Sequence, residues 1–318
     1  MRMRCRSSGF TLIEVMLALV VSSIAVLAAV RLHAHAGTVY LASQSERSLE
    51  ESARLALATL RRDVELAGYF GFAQGSRIVS DADSPGPAVR GDCGANWAVQ
   101  FTVPIGGGDN GYRWQCRAYR DAAEPGTDTL VLRYVDARRA QTLDAGRLYL
   151  ESRAEGTGTV FVAHRGTAAT NDLLVSVNAV RTLGYYVSTV SAGSEGIRSV
   201  PSLRIKRLSA DRHGPRVMDE EIQPGVEDLQ IQLGIDADVP EAPGYGSIDR
   251  FVATAELNPG ERVVSVRIWL LVRSLWREQG LPAETIPAYA NRAARTVDDG
   301  YRRRLVTTTI AIDASHPQ

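Results

Sequence analysis

From Phe10 to Val30 the chain runs for 21 residues with Glu14 as the single formally charged side chain. A helix rising about 1.5 Å per residue would carry that run across about 30 Å, the thickness of a bilayer's hydrocarbon core. Behind it the polarity rises but the helical period persists. Leu41, Ser45, Leu49, Ala53, Ala56, Leu60, Val64 and Ala67 recur at spacings of three and four and form one face. Glu46, Glu50, Glu51, Arg54, Arg61, Arg62 and Asp63 populate the rest of the surface. Gly37 is the weak point and Gly68 a natural stop. The pattern predicts one helix over residues 10–68, apolar all round over about 10–30 and amphipathic afterwards.

Beyond Gly68 the period shortens to two, between turns rich in Gly, Pro and Asp. Strands are expected at Thr129–Val135, Leu173–Val177, Val180–Val187, Leu203–Leu208, Val226–Ile235, Val263–Arg273 and Tyr301–Ile312. Val226–Ile235 alternates most cleanly, with Leu229, Ile231, Leu233 and Ile235 on one face. A short helix is expected within Pro282–Ala294, and loops near Ser191–Gly196 and Ala237–Gly246. The fold class is α+β: a long amino-terminal helix packed on a β-rich antiparallel domain over residues 69–318.

Composition narrows the classes. The 318 residues hold 36 basic against 36 acidic side chains, 45% hydrophobic and 23% charged, as an ordinary folded protein does. That argues against a disordered chain or a multi-span membrane protein, and the neutral balance leaves no electrostatic footprint for nucleic acid. Lys206 is the single lysine and carries no function in this reading. Arg2, Arg4 and Arg6 precede the apolar run, a membrane-targeting pattern whose basic end stays cytoplasmic. One reading of that pattern is a secretory signal, with Ala34-His35-Ala36 before Gly37 as its cleavage site. The apolar run exceeds the roughly 7–15 residues of a signal core and contains a carboxylate, which favours a retained helix. Glu14 then either meets a functional partner or snorkels to the interface.

Gly9-Phe10-Thr11-Leu12-Ile13-Glu14-Val15 behind its basic leader resembles the class III signal of type IV prepilins and type II secretion pseudopilins. The resemblance implies cleavage by prepilin peptidase between Gly9 and Phe10, removal of a leader over residues 1–9, and N-methylation of Phe10. It implies a single-pass anchor in the inner membrane, amino terminus cytoplasmic, until assembly into an extracellular pilus. Glu14 becomes the fifth mature residue, placed for an assembly salt bridge with the Phe10 amine of a neighbour. Two further segments are similar to PilW-type minor pilins: Asp63-Val64-Glu65-Leu66-Ala67-Gly68-Tyr69-Phe70-Gly71, and Val226–Asp236 followed by Val264–Arg273. Phe72 and the Ile312-Asp313 ending depart from the family's pattern, and roughly Gly75–Pro224 matches nothing recognisable.

Leader removal would take Cys5 with it and leave Cys93 and Cys116 on the periplasmic side, where disulfides persist. A Cys93–Cys116 bridge is expected, against two separate buried thiols. Trp97, Tyr112, Trp114 and Tyr119 surround these cysteines, and packing of a stapled subdomain is preferred over an exposed contact surface. No metal and no cofactor are expected. His164 and His213 show no ligand spacing with the cysteines. Asp81-Ala82-Asp83 echoes a calcium loop in which Pro85 holds a ligand position. Gly106-Gly107-Gly108-Asp109-Asn110-Gly111 lacks the Lys-Ser/Thr of a phosphate loop and reads as a turn. With no nucleophile motif either, an enzyme is not expected. The expected function is a structural minor pilin that primes pilus assembly and sits at the tip. Its expected partners are other minor pilins, the major pilin, prepilin peptidase, the inner membrane and a tip adhesin. A J-type pseudopilin of type II secretion and a tip adhesin are the alternatives.

Overall fold

The computed structural model describes residues 11–80, 87–167, 170, 172–193, 199–239, 241–258 and 260–312. The chain divides into two compact units, residues 1–48 and 49–318. A single helix, α1 (Leu12–Glu65), supplies nearly all of the described first unit and opens the second. It runs through Gly37 without interruption. The expected end at Ala67 becomes a helix end at Glu65 and a turn through Gly68, whose φ is +84°. The Gly68 N–H leaves the helical pattern and donates to Arg133 O at 2.9 Å.

The predicted stripe of α1 is the buried one. Leu49, Ala53, Ala56, Leu60, Val64 and Ala67 are each at most 2% exposed, and Ser45 is half-buried. The side chain of Leu41 lies outside the described ones. Four of the six stripe residues from Leu49 on are small or β-branched, which lets the strands approach the helix closely, and Leu49 and Leu60 fill the remaining space. Burying a side chain of that size contributes about 1.5–3 kcal/mol.

The first sheet holds eight strands: β1 (Ile78–Ser80), β2 (Ile105–Gly108), β3 (Thr129–Val135), β4 (Leu148–Arg153), β5 (Gly158–Val162), β6 (Val175–Ser188), β7 (Ser202–Asp211) and β8 (Gly214–Pro224). Its order is β1-β5-β4-β6-β3-β2, with β7 and β8 added on β6. The ladders are antiparallel except β1–β5. The second sheet orders β9 (Val226–Asp236), β10 (Arg250–Ala253), β11 (Arg262–Arg273) and β14 (Arg303–Ala311) as β10-β9-β11-β14, all antiparallel. A two-stranded hairpin, β12 (Glu284–Ile286) and β13 (Arg295–Val297), is inserted between β11 and β14.

The α1 stripe, Leu130, Leu132 and Tyr134 of β3, Tyr185 of β6, Ile205 of β7, and the inward residues of β9 and β11 share one core. The face of β9 carrying Leu229, Ile231, Leu233 and Ile235 points into it, as the alternation predicts. Strand β3 is buried along its whole length because its other face, with Val131 and Val135, meets a second core. Trp97, Ala98 and Phe101 cover that second core from the long β1–β2 connection.

Three expectations are corrected. Leu173–Val177 and Val180–Val187 are not two strands: the 14-residue β6 runs through both, and Leu173 and Leu174 stand exposed before it. Pro282–Ala294 is not a helix but the β12 arm and a turn, with Tyr289 OH donating to Asp228 at 2.6 Å. Gly106-Gly107-Gly108 is not a turn but part of β2. A Cβ at Gly107 would sit 2.0 Å from Thr129 O, so the close approach of β2 to β3 requires glycine there.

Candidate functional site

Gly9 and Phe10 lie outside the described residues. Thr11 and Glu14, immediately after them, form a capping box. Thr11 N–H and Thr11 Oγ1 both reach Glu14 Oε2 at 2.8 Å, and Glu14 N–H reaches back to Thr11 Oγ1 at 3.4 Å. Glu14 Oε1 has no partner among the described residues. The Thr-x-x-Glu spacing announces this box in the sequence; the membrane reading of Glu14 alone passes over it. From Leu12 to His33 the helix has 22 residues, none of them buried, and its apolar core reaches a mean hydropathy of 2.5. Inside that run Ser23 satisfies its own hydroxyl on Leu19 O at 2.7 Å. One helix is therefore long and apolar enough to cross a membrane, with a carboxylate near its start.

The second predicted feature is present: Cys93 and Cys116 are joined, with Cα atoms 4.4 Å apart. Closing a loop of this size stabilises by about 3 kcal/mol in the chain-entropy model. The aromatic side chains around it pack against each other and the sheet. Trp97 and Trp114 meet edge-on at 5.8 Å, Tyr112 and Trp114 at 4.9 Å, and Tyr112 and Tyr186 at 5.0 Å. Both indoles lie over Gly184 of β6, where a Cβ would come within 2.8 Å of each. Tyr112 OH donates to Cys116 O at 2.9 Å, and the Arg204 guanidinium lies 3.7 Å over the Tyr119 ring. The packing reading therefore holds, and the exposed-aromatic surface is not what the structure presents.

Buried charge ties this stapled loop to the sheets. Arg133, 3% exposed on β3, donates to Trp97 O at 2.8 Å and Val103 O at 2.6 Å. Burial pushes its guanidinium down to about 10, still far above neutral, so it stays a cation. Arg204 pairs with Asp219 at 2.7 Å and with Glu221 at 3.3 Å. Lys206, the single lysine, is 6% exposed and pairs with the same Asp219 at 2.7 Å. Composition alone gave no reason to expect a lysine there; its place on β7 opposite Asp219 of β8 does.

Cys93 and Cys116 are consumed by the disulfide, which removes them as zinc ligands. His164 and His213 are exposed, the latter accepting from Arg212. Asp81, Asp83, Pro85 and Gly86 of the calcium-like segment lie outside the described residues. Asp236, Asp238 and Asp249 bring carboxylates within 4.8 Å of one another. Asp236 is already spent on the N–H groups of Asp238 and Gly246 and on Arg262, and Asp249 on the N–H of Ala237 at 2.7 Å.

Two family models match the chain. Residues 184–314 match Type IV Pilus-assembly protein W, and residues 4–30 match the prokaryotic N-terminal methylation motif. No curated protein and no solved structure matches. The first match begins inside β6 and takes in the whole second sheet, whereas the disulfide-stapled region lies before it. The chain is thus similar to Type IV Pilus-assembly protein W over residues 184–314 and carries a prokaryotic N-terminal methylation motif, and its layout is pilin-like: an apolar amino-terminal helix followed by a β-rich antiparallel domain.

Proposed function

We propose that this PilW-like chain is a structural minor pilin and not an enzyme, made as a precursor and built into a type IV pilus. Residues 1–9 are the leader, cut after Gly9. Residues 10–68 are the anchoring helix, with Phe10 the methylated mature terminus held on the cytoplasmic side. Residues 69–318 are the periplasmic body, extracellular once assembled. The observation that carries this reading is the uncovered apolar helix Leu12–His33, which bears one acid near its start and overlaps the matched methylation motif. The match over residues 184–314 supports a pilus over a type II secretion complex.

Glu14 is the assembly residue in this reading. A lone carboxylate in a lipid-facing helix is costly unless a cation approaches, and the free amine of a neighbour's Phe10 is one. The capping box leaves Oε1 available for that amine while Oε2 holds the helix start. Binding by several minor pilins through this pair would fix their axial register and prime assembly at the future tip.

Mass spectrometry of the membrane-extracted protein tests processing: an N-methylated Phe10 terminus is expected, and a terminus at Gly37 would overturn the reading. Deleting the gene and scoring surface pili beside secretion separates the two machines, with loss of pili expected. Glu14→Gln keeps shape and removes charge. The variant should be cleaved and inserted yet recover its partner minor pilins poorly in detergent, and unchanged recovery would reduce Glu14 to a helix cap.

A further inference from the structure

An unpaired sheet edge offers its backbone N–H and C=O groups to any passing strand, and folds usually blunt it. Here β1, β2 and β10 are only three or four residues long. The edge strand β8 carries Pro215, Pro224, Arg216, Asp219, Glu220 and Glu221. Strand β14 lacks these protections beyond its first two residues. It is nine residues long, pairs with β11 alone, and reads Leu305-Val306-Thr307-Thr308-Thr309-Ile310-Ala311 after its two arginines. Ile312 N–H donates to Val264 O at 3.0 Å, toward β11. Alternation along an antiparallel strand then turns the N–H and C=O groups of Leu305, Thr307, Thr309 and Ala311 to the open side. None of these four has a backbone partner there among the described residues. Arg303 has the same parity, and its N–H is capped by Glu284 Oε2 at 3.2 Å, which closes the edge at that end.

A groove of about 450 Å³ runs beside β14, between it and the second half of α1. Its apolar lining comes from Ala53, Leu57 and Val306. On its rim Glu50 and Arg54 pair at 3.6 Å and Arg61 and Glu65 at 3.8 Å. That leaves Arg62 without an acidic partner among the described residues, with Arg304 on the opposite wall. The edge requires an extended backbone, the groove takes side chains from one face of it, and the rim favours an acid.

We propose that β14 and this groove receive an extended strand from a neighbouring subunit, adding a fifth strand to the second sheet. The strand runs antiparallel to β14, as the other pairs of this sheet do. Its inward side chains, at alternate positions, are apolar and rest on Ala53, Leu57 and Val306, and an acidic residue faces Arg62. The proposal rests on the reading that the chain works among other pilus subunits.

Thr309→Pro deletes an outward N–H while sparing the ladder to β11, and Thr309→Val keeps that N–H. Both are compared with wild type by recovery of the other minor pilins with the full-length chain in detergent. Recovery should fall at least about tenfold for Thr309→Pro and stay near wild type for Thr309→Val. Equal recovery from all three would overturn strand addition and leave the pilin reading standing; loss in both variants would overturn it in favour of a side-chain surface. A wild-type chain that recovers no other subunit overturns both. Residue-resolved hydrogen exchange needs no variant. The amides of Thr307, Thr309 and Ala311 should exchange at least about a hundredfold more slowly in the purified complex than in the chain alone, with Thr308 and Ile310 protected in both. Unchanged exchange at the three outward amides would overturn the proposal even if Thr309→Pro proves poorly folded.

Discussion

The two halves of α1 are continuous in backbone and opposite in what they require of their surroundings. Apart from Glu14 near its start and Arg31 and His33 at its end, Leu12–His33 is uncharged on every side and buries nothing, so its residues are interchangeable to the fold of the body. Leu49–Glu65 is apolar on one stripe and buries that stripe almost completely, so each residue there has a shape to match. Each half also holds one distinctive acid. Glu14 is exposed and half-used by its own Thr11, whereas Asp63 is 8% exposed and accepts the hydroxyls of Tyr134 at 2.7 Å and of Tyr185. An all-round apolar helix asks for a solvent; a striped one asks for a partner.

The sharpest way to break that contrast is to cut equal side chains from both halves. Leu60→Ala, at a fully buried position, should destabilise the body by about 3 kcal/mol. Leu17→Ala, at a position 67% exposed, should leave denaturant unfolding of the detergent-solubilised chain unchanged. Equal losses would mean that the first half is also part of the body's core. The next largest effect concerns the acids. Burial, with the Asp63 charge behind it, pushes the Tyr134 and Tyr185 phenols well up, so both remain donors at any ordinary pH. Asp63→Asn should therefore cost about 2 kcal/mol of unfolding free energy, the worth of charge-assisted bonds to a buried acceptor. Glu14→Gln should cost the body nothing in the same measurement.

A third acid sharpens the comparison by taking the helix out of it. Asp128 accepts the N–H of Asn110 and that of Ile231, each at 2.8 Å, and so links the two sheets. Burial outweighs those two bonds and pushes it up to about 6. A raised carboxylate favours folding most when protonated, so its contribution is full below about pH 4 and is lost as pH rises through about 6. Unfolding free energy followed from pH 4 to 7 should show this fall, of about 2–3 kcal/mol, and Asp128→Asn should flatten it. The smallest effect belongs to the exposed side of α1, where Arg54→Ala breaks the pair with Glu50 and should cost about 0.3 kcal/mol in the same unfolding measurement.

What could be read from the sequence follows the same division. The helix was legible because its apolar run and its stripe obey one period for more than fifty positions, and β3, β9, β11 and β14 were legible because a core on at least one face makes them alternate. β8 escaped notice since most of its residues are only half-buried and its middle is charged. The β12 arm is extended and not the expected helix: Thr285, Ile286 and Pro287 suit an extended chain. β2 was hidden because a glycine run reads as a turn unless one knows that Thr129 O lies against it. The candidate site divides likewise. The anchor and the disulfide were visible in residue identity, while Lys206 and the open edge of β14 depend on which strands become neighbours.

The stripe of α1 and the last strand meet across almost the whole chain: Arg61 bonds Thr308, 247 positions later. The helix emerges well before Ile310 and Ile312, which help cover its stripe. At about 5–20 residues per second the intervening chain takes roughly 12–50 s to make. Throughout that interval the newly made chain displays a half-covered apolar face, the condition in which chains misassociate. A truncation that removes β14 would make that transient state permanent, so proteolytic quality control should recognise the shortened subunit by its uncovered helix.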